Sequence, residues 1–362
     1  MADFSQYTGP SKEWIALEAT LPAAPDNLSL EELRNTANKG RDEAAAKAMV
    51  DEGLKPKVTI KDYTIPTRDG SSIEARSFRP IAIPDSQPIP IYIHLHGGGF
   101  LFGTPNSEDA HCSRTVVTLA ESKLPVMVVN VNYRHTPEHK YPTAWNDAED
   151  AFHWIHEHIS EICGDGEKIV IGGISAGAWL TGSLVLAQNT GKDAQLASRP
   201  KVRGQVLMIP CLVYPGFHEL QVKELSDPSV SSYVTNANAP ILPLNRMDLF
   251  TGLLGVKDPK VDDRRLSPGL ATAEEVKGLP PSTFGVSGCD PLRDEGLLYG
   301  KLLTENGVPT KVNVFSGLPH GFRRYGIDKI PACKRWDEVI CEGIQFALSD
   351  PVATGKFEIM SD

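Results

Sequence analysis

The stretch IVIGGISAGAWL, residues 169–180, decides the fold prediction. A short apolar run rich in β-branched residues, typical of a strand buried on both faces, leads directly into Gly173-Ile174-Ser175-Ala176-Gly177, and a helix is expected to begin after this turn. A serine between two glycines at a strand-to-helix turn has its hydroxyl exposed above the sheet, as a catalytic nucleophile requires. The G-x-S-x-G pattern alone is weak, so its meaning depends on finding partners for the serine.

Strands and helices alternate on both sides of this stretch. Short β-branched runs predict strands, and longer runs of good helix formers predict helices. The predicted strands are 58–67, 73–80, 89–97, 126–133, 168–174, 202–210, 282–289 and 310–317, and the predicted helices are 28–51, 143–160, 176–189, 242–254, 291–306 and 331–348. Such alternation predicts an α/β fold, with a mostly parallel central sheet that has helices on both faces.

The chain is expected to divide into a core and a cap. Residues 211–280, rich in Pro, Asn, Asp and Ser, separate two core strands, and a connection of that length usually has a function. We predict that this insertion forms a mainly helical cap together with an N-terminal segment, 1–55. The α/β core then comprises 56–210 and 281–350, and 351–362 form a C-terminal tail.

A serine nucleophile needs a base to take its proton and an acid to orient that base. Of the ten histidines, only His218 and His320 follow Ser175, and His218 falls inside the predicted cap. His320, just past the last core strand, is placed to reach the carboxyl edge of the sheet. Asp290 ends the preceding strand and is the predicted acid, although its position before Pro291 also suits a helix N-cap.

Charged and aromatic residues near these positions have two interpretations each. Asp294 and Glu295, one turn into the next helix, are expected to be solvated first-turn charges. Phe100 and Phe102 follow the glycine triplet Gly97-Gly98-Gly99. They are predicted either to line a substrate pocket or to pack in the core. His94, on the strand before the triplet, is expected to be buried and hydrogen-bonded.

Five motifs together resemble the hormone-sensitive-lipase-like branch of the α/β-hydrolase family, and the resemblance runs from about residue 88 to the last helix. The motifs are HLHGGGF (94–100), NYRHTPEHKYPTAWNDA (132–148), GISAGAW (173–179), SGCDPLRDEG (287–296) and LPHGF (318–322). The family commonly has G-D-S-A-G-G at the turn that carries the serine. This chain has Ile174 in place of the Asp and Ala178 in place of the last Gly.

The resemblance implies an α/β-hydrolase fold and assigns roles. Ser175 would be the nucleophile, His320 the general base and then acid, and Asp290 the orienting carboxylate. The backbone N–H groups that would hold the oxyanion are those of Gly98, Gly99 and Ala176. Neither a cofactor nor a metal is implied.

The predicted function is that of a serine carboxylesterase that cleaves small to medium uncharged esters through an acyl-enzyme. The same triad would also suit a hydrolase of lactones, thioesters or acetylated, polyketide-type natural products, or a cyclase or acyltransferase. A third interpretation, a small-molecule receptor that has lost its chemistry, is disfavoured because His320 is present.

Composition excludes several classes of protein. The net charge is −10 and there is no long basic run, which argues against a nucleic-acid partner. No stretch approaches the ~20 apolar residues of a membrane span, and the first residues do not resemble a secretory leader, so a cytoplasmic location is expected. His153, His156 and His158 lie on different faces of a predicted helix, which favours a solvated face over a metal site. A homodimer remains open.

Overall fold

The computed structural model describes residues 1–22 and 28–361, and within that part nine strands form one sheet. The strands are β1 Val58–Pro66, β2 Ser72–Pro80, β3 Ile89–Leu95, β4 Met127–Asn132, β5 Gly164–Ile174, β6 Gly204–Met208, β7 Ser282–Cys289, β8 Thr310–Pro319 and β9 Ile359–Ser361. Their spatial order is β1-β2-β4-β3-β5-β6-β7-β8-β9. Only the pairings of β2 with β1 and with β4 are antiparallel, so the mostly parallel sheet is confirmed.

Helices cover both faces of the sheet. They are α1 Lys12–Glu18, α2 Leu30–Asp51, α3 Asp109–Glu121, α4 Thr143–Glu157, α5 Ala176–Thr190, α6 Ala194–Ala197, α7 His218–Val222, α8 Ser232–Thr235, α9 Leu244–Leu254, α10 Ala273–Val276, α11 Arg293–Glu305 and α12 Ala332–Leu348. One apolar core lies under α4, α5 and α11, and a second lies under α2, α3 and α12. β5 contributes to both, because Ile169 and Ile171 face the first core and Val170 faces the second. None of the described helices combines the length and the apolar character that a bilayer span requires.

Two elements of the fold were not expected from the sequence. Helix α3 connects β3 to β4, and these parallel neighbours require such a crossover. The predicted C-terminal tail contributes β9, which pairs in parallel with β8 from Val312↔Ile359 to Val314↔Ser361. Residues 23–27 of the predicted N-terminal segment and residue 362 of the predicted tail lie outside the described residues.

The N-terminal segment and the insertion at 211–280 meet each other. Ala2 pairs with Leu225 in an isolated parallel bridge, in which the Ala2 N–H donates to Glu224 O at 2.9 Å and the Ser226 N–H donates to Ala2 O at 2.8 Å. The insertion itself contains the four helices α7 to α10. These contacts support the proposal that both segments form one cap.

The motif at 132–148 holds the end of β4 in place. The Tyr133 hydroxyl donates to His96 O at 2.6 Å, which fixes the chain just before the glycine triplet. Arg134 Nη2 lies 2.6 Å from Asp147 Oδ1, and the Arg134 backbone N–H donates to Asp147 Oδ2 at 2.9 Å. Asp147 is fully buried, so β4 and α4 are joined by a desolvated ion pair.

We expect Asp147→Ala to lower the free energy of unfolding by about 2 kcal/mol, because Arg134 loses its buried partner and keeps only the more exposed carboxylate of Asp69. Denaturant unfolding followed by circular dichroism measures the change. Asp248→Ala, at an exposed position on α9, serves as the control and should stay within about 0.5 kcal/mol of the parent. Equal effects of the two substitutions would contradict the structural role of the pair.

Candidate active site

Ser175 lies in a strained turn between β5 and α5. Its φ is 55°, a left-handed value that non-glycine residues rarely adopt, and its backbone N–H donates to Met208 O at 2.8 Å. A β-carbon on Gly177 would lie 1.9 Å from Leu95 O, and one on Gly173 would lie 2.3 Å from the carbonyl carbon of Gly177. Both positions therefore require glycine, and the turn leaves Ser175 partly exposed above the sheet.

Three side chains that are far apart in the sequence converge here. His320 Nε2 lies 2.9 Å from Ser175 Oγ, and His320 Nδ1 lies 2.6 Å from Asp290 Oδ2. Since the carboxylate accepts the Nδ1 proton, Nε2 is left as the acceptor for the serine hydroxyl. Asp290 Oδ1 also accepts from the Leu292 N–H at 3.0 Å, but α11 begins at Arg293 with Leu292 at its N-cap, so the alternative of a helix N-cap at Asp290 was wrong. The role of Asp290 as the orienting acid stays a prediction.

The glycine triplet lies against this turn. A β-carbon on Gly97 would be 2.8 Å from Ile174 O, and Gly98 and Gly99 have φ values of 145° and 62°. Gly98 and Gly99 are partly exposed. In the part of the chain that the structure describes, the N–H groups of Gly98, Gly99 and Ala176 have no hydrogen-bond acceptor. Unsatisfied donors beside a nucleophile are what an oxyanion site requires.

Helix α2 clamps the loop that follows β3. Arg41 donates from Nη1 to Gly97 O at 3.1 Å and from Nη2 to Glu108 Oε1 at 2.9 Å, while Asn38 Oδ1 accepts from the Gly103 N–H at 2.9 Å. The sequence predicts α2 as part of the N-terminal cap segment, 1–55, but it does not indicate these contacts. Their partners lie more than 50 residues away, and no local pattern marks them.

His94 is buried and hydrogen-bonded, as expected. Its Nε2 lies 3.1 Å from Glu108 Oε2, and both residues are almost inaccessible to solvent. Burial opposes ionisation of Glu108, but the hydrogen bond with His94 and the charge of Arg41 hold its pKa well below the usual value. This ionised carboxylate therefore anchors Arg41 behind the glycine triplet.

The two phenylalanines differ in location. Phe100 is 2% exposed and its ring stacks on Trp145 at 4.9 Å, so it packs in the core, which was the alternative to pocket lining. Phe102 is partly exposed and makes an edge contact with Phe250 of α9, with 5.7 Å between ring centroids. Contact of Phe102 with substrate stays a prediction.

The expectation that Asp294 is solvated was wrong, because this residue is buried in a polar network. Asp294 Oδ2 accepts from the Ser232 N–H at 2.7 Å, and its Oδ1 accepts from Arg293 Nε at 2.8 Å. Arg293 in turn donates to Thr8 Oγ1 and to Val230 O. The first turn of α11, which follows Asp290, thus holds the N-terminal segment and the insertion.

Glu295 was also expected to be solvated, and it too is fully buried. It accepts hydrogen bonds from the backbone N–H groups of Leu212 and Val213, at 2.5 and 2.8 Å, and from the Tyr233 hydroxyl at 2.9 Å. Burial outweighs these three donors and raises the pKa of Glu295 to about 8. The residue pattern of α11 does not reveal this burial, because the segment that covers Glu295 comes from the distant insertion at 211–280.

The histidines His153 and His156 of α4 and His158 at its C-cap do not form the expected solvated face. His153 is 6% exposed and accepts from Arg199 Nε at Nδ1, at 3.1 Å. Burial lowers the pKa of His156 to about 4. Within residues 1–22 and 28–361, no three His, Cys, Asp or Glu side chains are grouped as a metal site would require.

We expect Gly177→Ala to destabilise the protein by more than ~2 kcal/mol or to prevent folding, because the new methyl group meets the Leu95 carbonyl. Gly252→Ala is the control, since Gly252 lies inside α9 with no atom within 4 Å of the new carbon. That substitution should stabilise the helix by about 0.5–1 kcal/mol. Thermal unfolding measures both changes. Equal melting temperatures for the two variants would contradict the close approach of Gly177 to Leu95 O.

Glu295 makes stability depend on pH in a defined direction. Its folded-state pKa, about 8, lies above the unfolded value of about 4.3, so the folded chain retains this proton while the unfolded chain loses it. The stabilisation is complete below the unfolded pKa and is lost as pH rises towards 8. Relative to Glu295→Gln, the parent should lose on the order of 3 kcal/mol between pH 5 and pH 8.

Denaturant unfolding at several pH values measures this difference. Glu305→Gln, at an exposed position on the same helix, is the matched control and should follow the parent at every pH. If the Glu295→Gln and parent curves run parallel from pH 5 to pH 8, the buried proton is absent.

Known proteins resemble this chain over most of its length. A family model described as alpha/beta hydrolase fold matches residues 92–324. Esterase LipI of Mycobacterium tuberculosis is 32% identical over 276 residues, covering 75% of this chain and 77% of that protein. Carboxylesterase NlhH of the same species is 31% identical over 278 residues, covering 76% and 78%.

A solved structure agrees in fold. The crystal structure of vibralactone cyclase superposes with a TM-score of 0.83 at 27% identity, covering 95% of this chain and 96% of that one. The family match, the identity to the two esterases and the shared fold lead to one assignment: the chain belongs to the hormone-sensitive-lipase-like branch of the α/β-hydrolase family.

Proposed function

We propose that this chain, a carboxylic ester hydrolase, works through a covalent acyl-enzyme on Ser175. The observation that carries the proposal is the continuous hydrogen-bonded chain from Ser175 Oγ through His320 to Asp290, with distances of 2.9 and 2.6 Å. Hydrogen bonds of this length let a proton leave the hydroxyl as the oxygen attacks.

The first half-reaction forms the acyl-enzyme. Ser175 Oγ bonds to the ester carbonyl carbon while its proton passes to His320 Nε2, and the carbonyl oxygen becomes negatively charged. The N–H groups of Gly98, Gly99 and Ala176 stabilise that oxyanion, and Asp290 stabilises the imidazolium. Collapse of the intermediate breaks the bond to the alcohol oxygen, which takes the proton from His320 and leaves.

The second half-reaction returns the enzyme to its starting state. Water loses a proton to His320 Nε2 and attacks the acyl carbon, and the same N–H groups hold the second oxyanion. The bond to Ser175 Oγ then breaks, the serine recovers the proton, and the carboxylic acid departs. The substrate is a small or medium carboxylic ester.

Ser175→Ala and His320→Ala should each lower kcat by at least ~10³-fold, because the members of a triad act as a unit. Asp290→Asn should lower kcat too, since an amide no longer holds the imidazole in its working tautomer. Hydrolysis of 4-nitrophenyl esters of increasing acyl length gives these rates, and a fluorophosphonate probe should label the parent but not Ser175→Ala.

Matched controls are available at exposed positions. Ser229→Ala and His139→Ala remove the same side chains outside the proposed site, and both should keep normal turnover and labelling. Near-normal kcat in Ser175→Ala or His320→Ala would contradict the proposed mechanism.

A further inference from the structure

Two arginines stand apart from all the others in their ionic environment. The sequence has 16 arginines, and each of them lies within the described residues. Fourteen lie within 4.0 Å of an Asp or Glu oxygen. Arg246 and Arg324 have no carboxylate partner within the described part of the chain. In a protein of net charge −10, a pair of unneutralised guanidinium groups is an exception that needs a reason.

Arg324 lies beside the proposed general base. It follows His320 by one helical turn, and its backbone N–H donates to Gly321 O at 3.3 Å. Its Nη2 lies only 3.4 Å from the point where a β-carbon on Gly321 would be. The guanidinium therefore folds back over the residue next to His320.

Arg246 approaches the site from the insertion. It lies on α9, where Arg246 Nη1 donates to Ile241 O at 3.0 Å, and its other N–H groups have no acceptor among the described residues. One turn further along α9, the Phe250 ring covers Gly99 so closely that a β-carbon there would be 2.5 Å from the ring. The helix that bears Arg246 thus lies across the proposed oxyanion loop.

Arg41 adds a third cation beside the glycine triplet. Its Nη1 lies 3.1 Å from the point where a β-carbon on Gly98 would be, although Glu108 neutralises this residue. Close packing around the guanidinium lowers the pKa of Arg324, Arg41 and Arg246 lower it further, and Tyr325 acts in the opposite direction. Part of the Arg324 side chain is still exposed to solvent, so it is accessible to a ligand.

We propose that Arg324, assisted by Arg246, binds an anionic group on the alcohol portion of the ester, so that the preferred substrate carries a carboxylate there. This inference rests on the proposed function, in which His320 protonates the leaving alcohol oxygen. The alcohol portion must therefore lie on the His320 side of the site, which is the side of Arg324. The sequence led to a prediction of uncharged esters, and the arginines add a preference for one negative charge without excluding neutral substrates.

The physical basis is the unmet hydrogen-bonding capacity of the two guanidinium groups. A carboxylate forms charge-assisted, bidentate hydrogen bonds with arginine, and binding one would relieve the repulsion between Arg324 and its cationic neighbours. The surrounding protein is acidic, so this isolated cationic patch would also direct an anionic substrate towards the serine.

The experiment compares esters that differ only in charge. For the alcohol side, the pair is 4-acetoxybenzoate and 4-acetoxybenzamide, which have similar size and the same acetyl group. For the acyl side, the pair is the mono-4-nitrophenyl ester of glutaric acid and 4-nitrophenyl pentanoate. We expect kcat/KM to favour the carboxylate about 10-fold in the first pair only, with the advantage shrinking as salt screens the charges.

Substitution of Arg324 should remove that discrimination. In Arg324→Gln the kcat/KM ratio of 4-acetoxybenzoate to 4-acetoxybenzamide should fall towards one, and Arg324→Lys should retain part of it. Arg203→Gln is the matched control, because Arg203 lies just before the first residue of β6, at the end of the strand that is remote from Ser175. This control should keep the parent ratio.

Binding to Ser175→Ala separates this inference from the proposed catalysis. Calorimetry with uncleaved 4-acetoxybenzoate and 4-acetoxybenzamide should show tighter binding of the carboxylate, and the double variant Ser175→Ala/Arg324→Gln should lose this difference. The arginine assignment would be overturned if the two esters bound equally, or if only the acyl-side pair showed a preference for the carboxylate. It would also be overturned if Arg324→Gln lowered kcat/KM equally for 4-acetoxybenzoate and 4-acetoxybenzamide. Failure of the parent to hydrolyse any of the four esters, despite selective binding, would instead count against the proposed function.

Discussion

The contact on which the site depends is the approach of Gly177 to the backbone of β3. Because a β-carbon there would lie 1.9 Å from Leu95 O, α5 begins directly against the strand that leads into the glycine triplet. In the same turn Ser175 has a φ of 55°, and Gly97 of the triplet lies so close to Ile174 that a β-carbon there would be 2.8 Å from Ile174 O. One steric constraint therefore places the proposed nucleophile and the proposed oxyanion donors together.

Around that contact, buried polar and charged groups fix the segments that cover the sheet. Asp294 and Glu295 bind backbone groups of the insertion, while Arg293 of the same turn reaches Thr8 of the N-terminal segment. Since this turn directly follows Asp290, the acid of the proposed triad and the cap share one support. Buried groups of this kind are costly to desolvate, and hydrogen bonds from their neighbours compensate for part of that cost.

The arginines fall into two groups, those paired with a carboxylate and those near the proposed site that are not. Those that stabilise the fold, such as Arg134 with Asp147, are neutralised at close range. Arg246 and Arg324 have no such partner among the described residues; Arg324 folds against Gly321 beside His320, and Arg246 lies on the helix that covers Gly99. A structural arginine is stabilised by a neighbouring carboxylate, whereas one that receives an anionic ligand must keep its donors free. The proposed anion preference follows from this difference.

The core strands, most of the long helices and the candidate residues Ser175, Asp290 and His320 could be predicted from the sequence, because each strand run and each turn beside these residues is a local signal. The same holds for the glycine triplet after β3. The burial of Asp294 and Glu295, the packing of Phe100 against Trp145, the clamp of Arg41 and the pairing of β9 were decided only by tertiary structure. Each depends on groups distant in the sequence, and no periodicity records which segment will cover a side chain or add to a sheet edge.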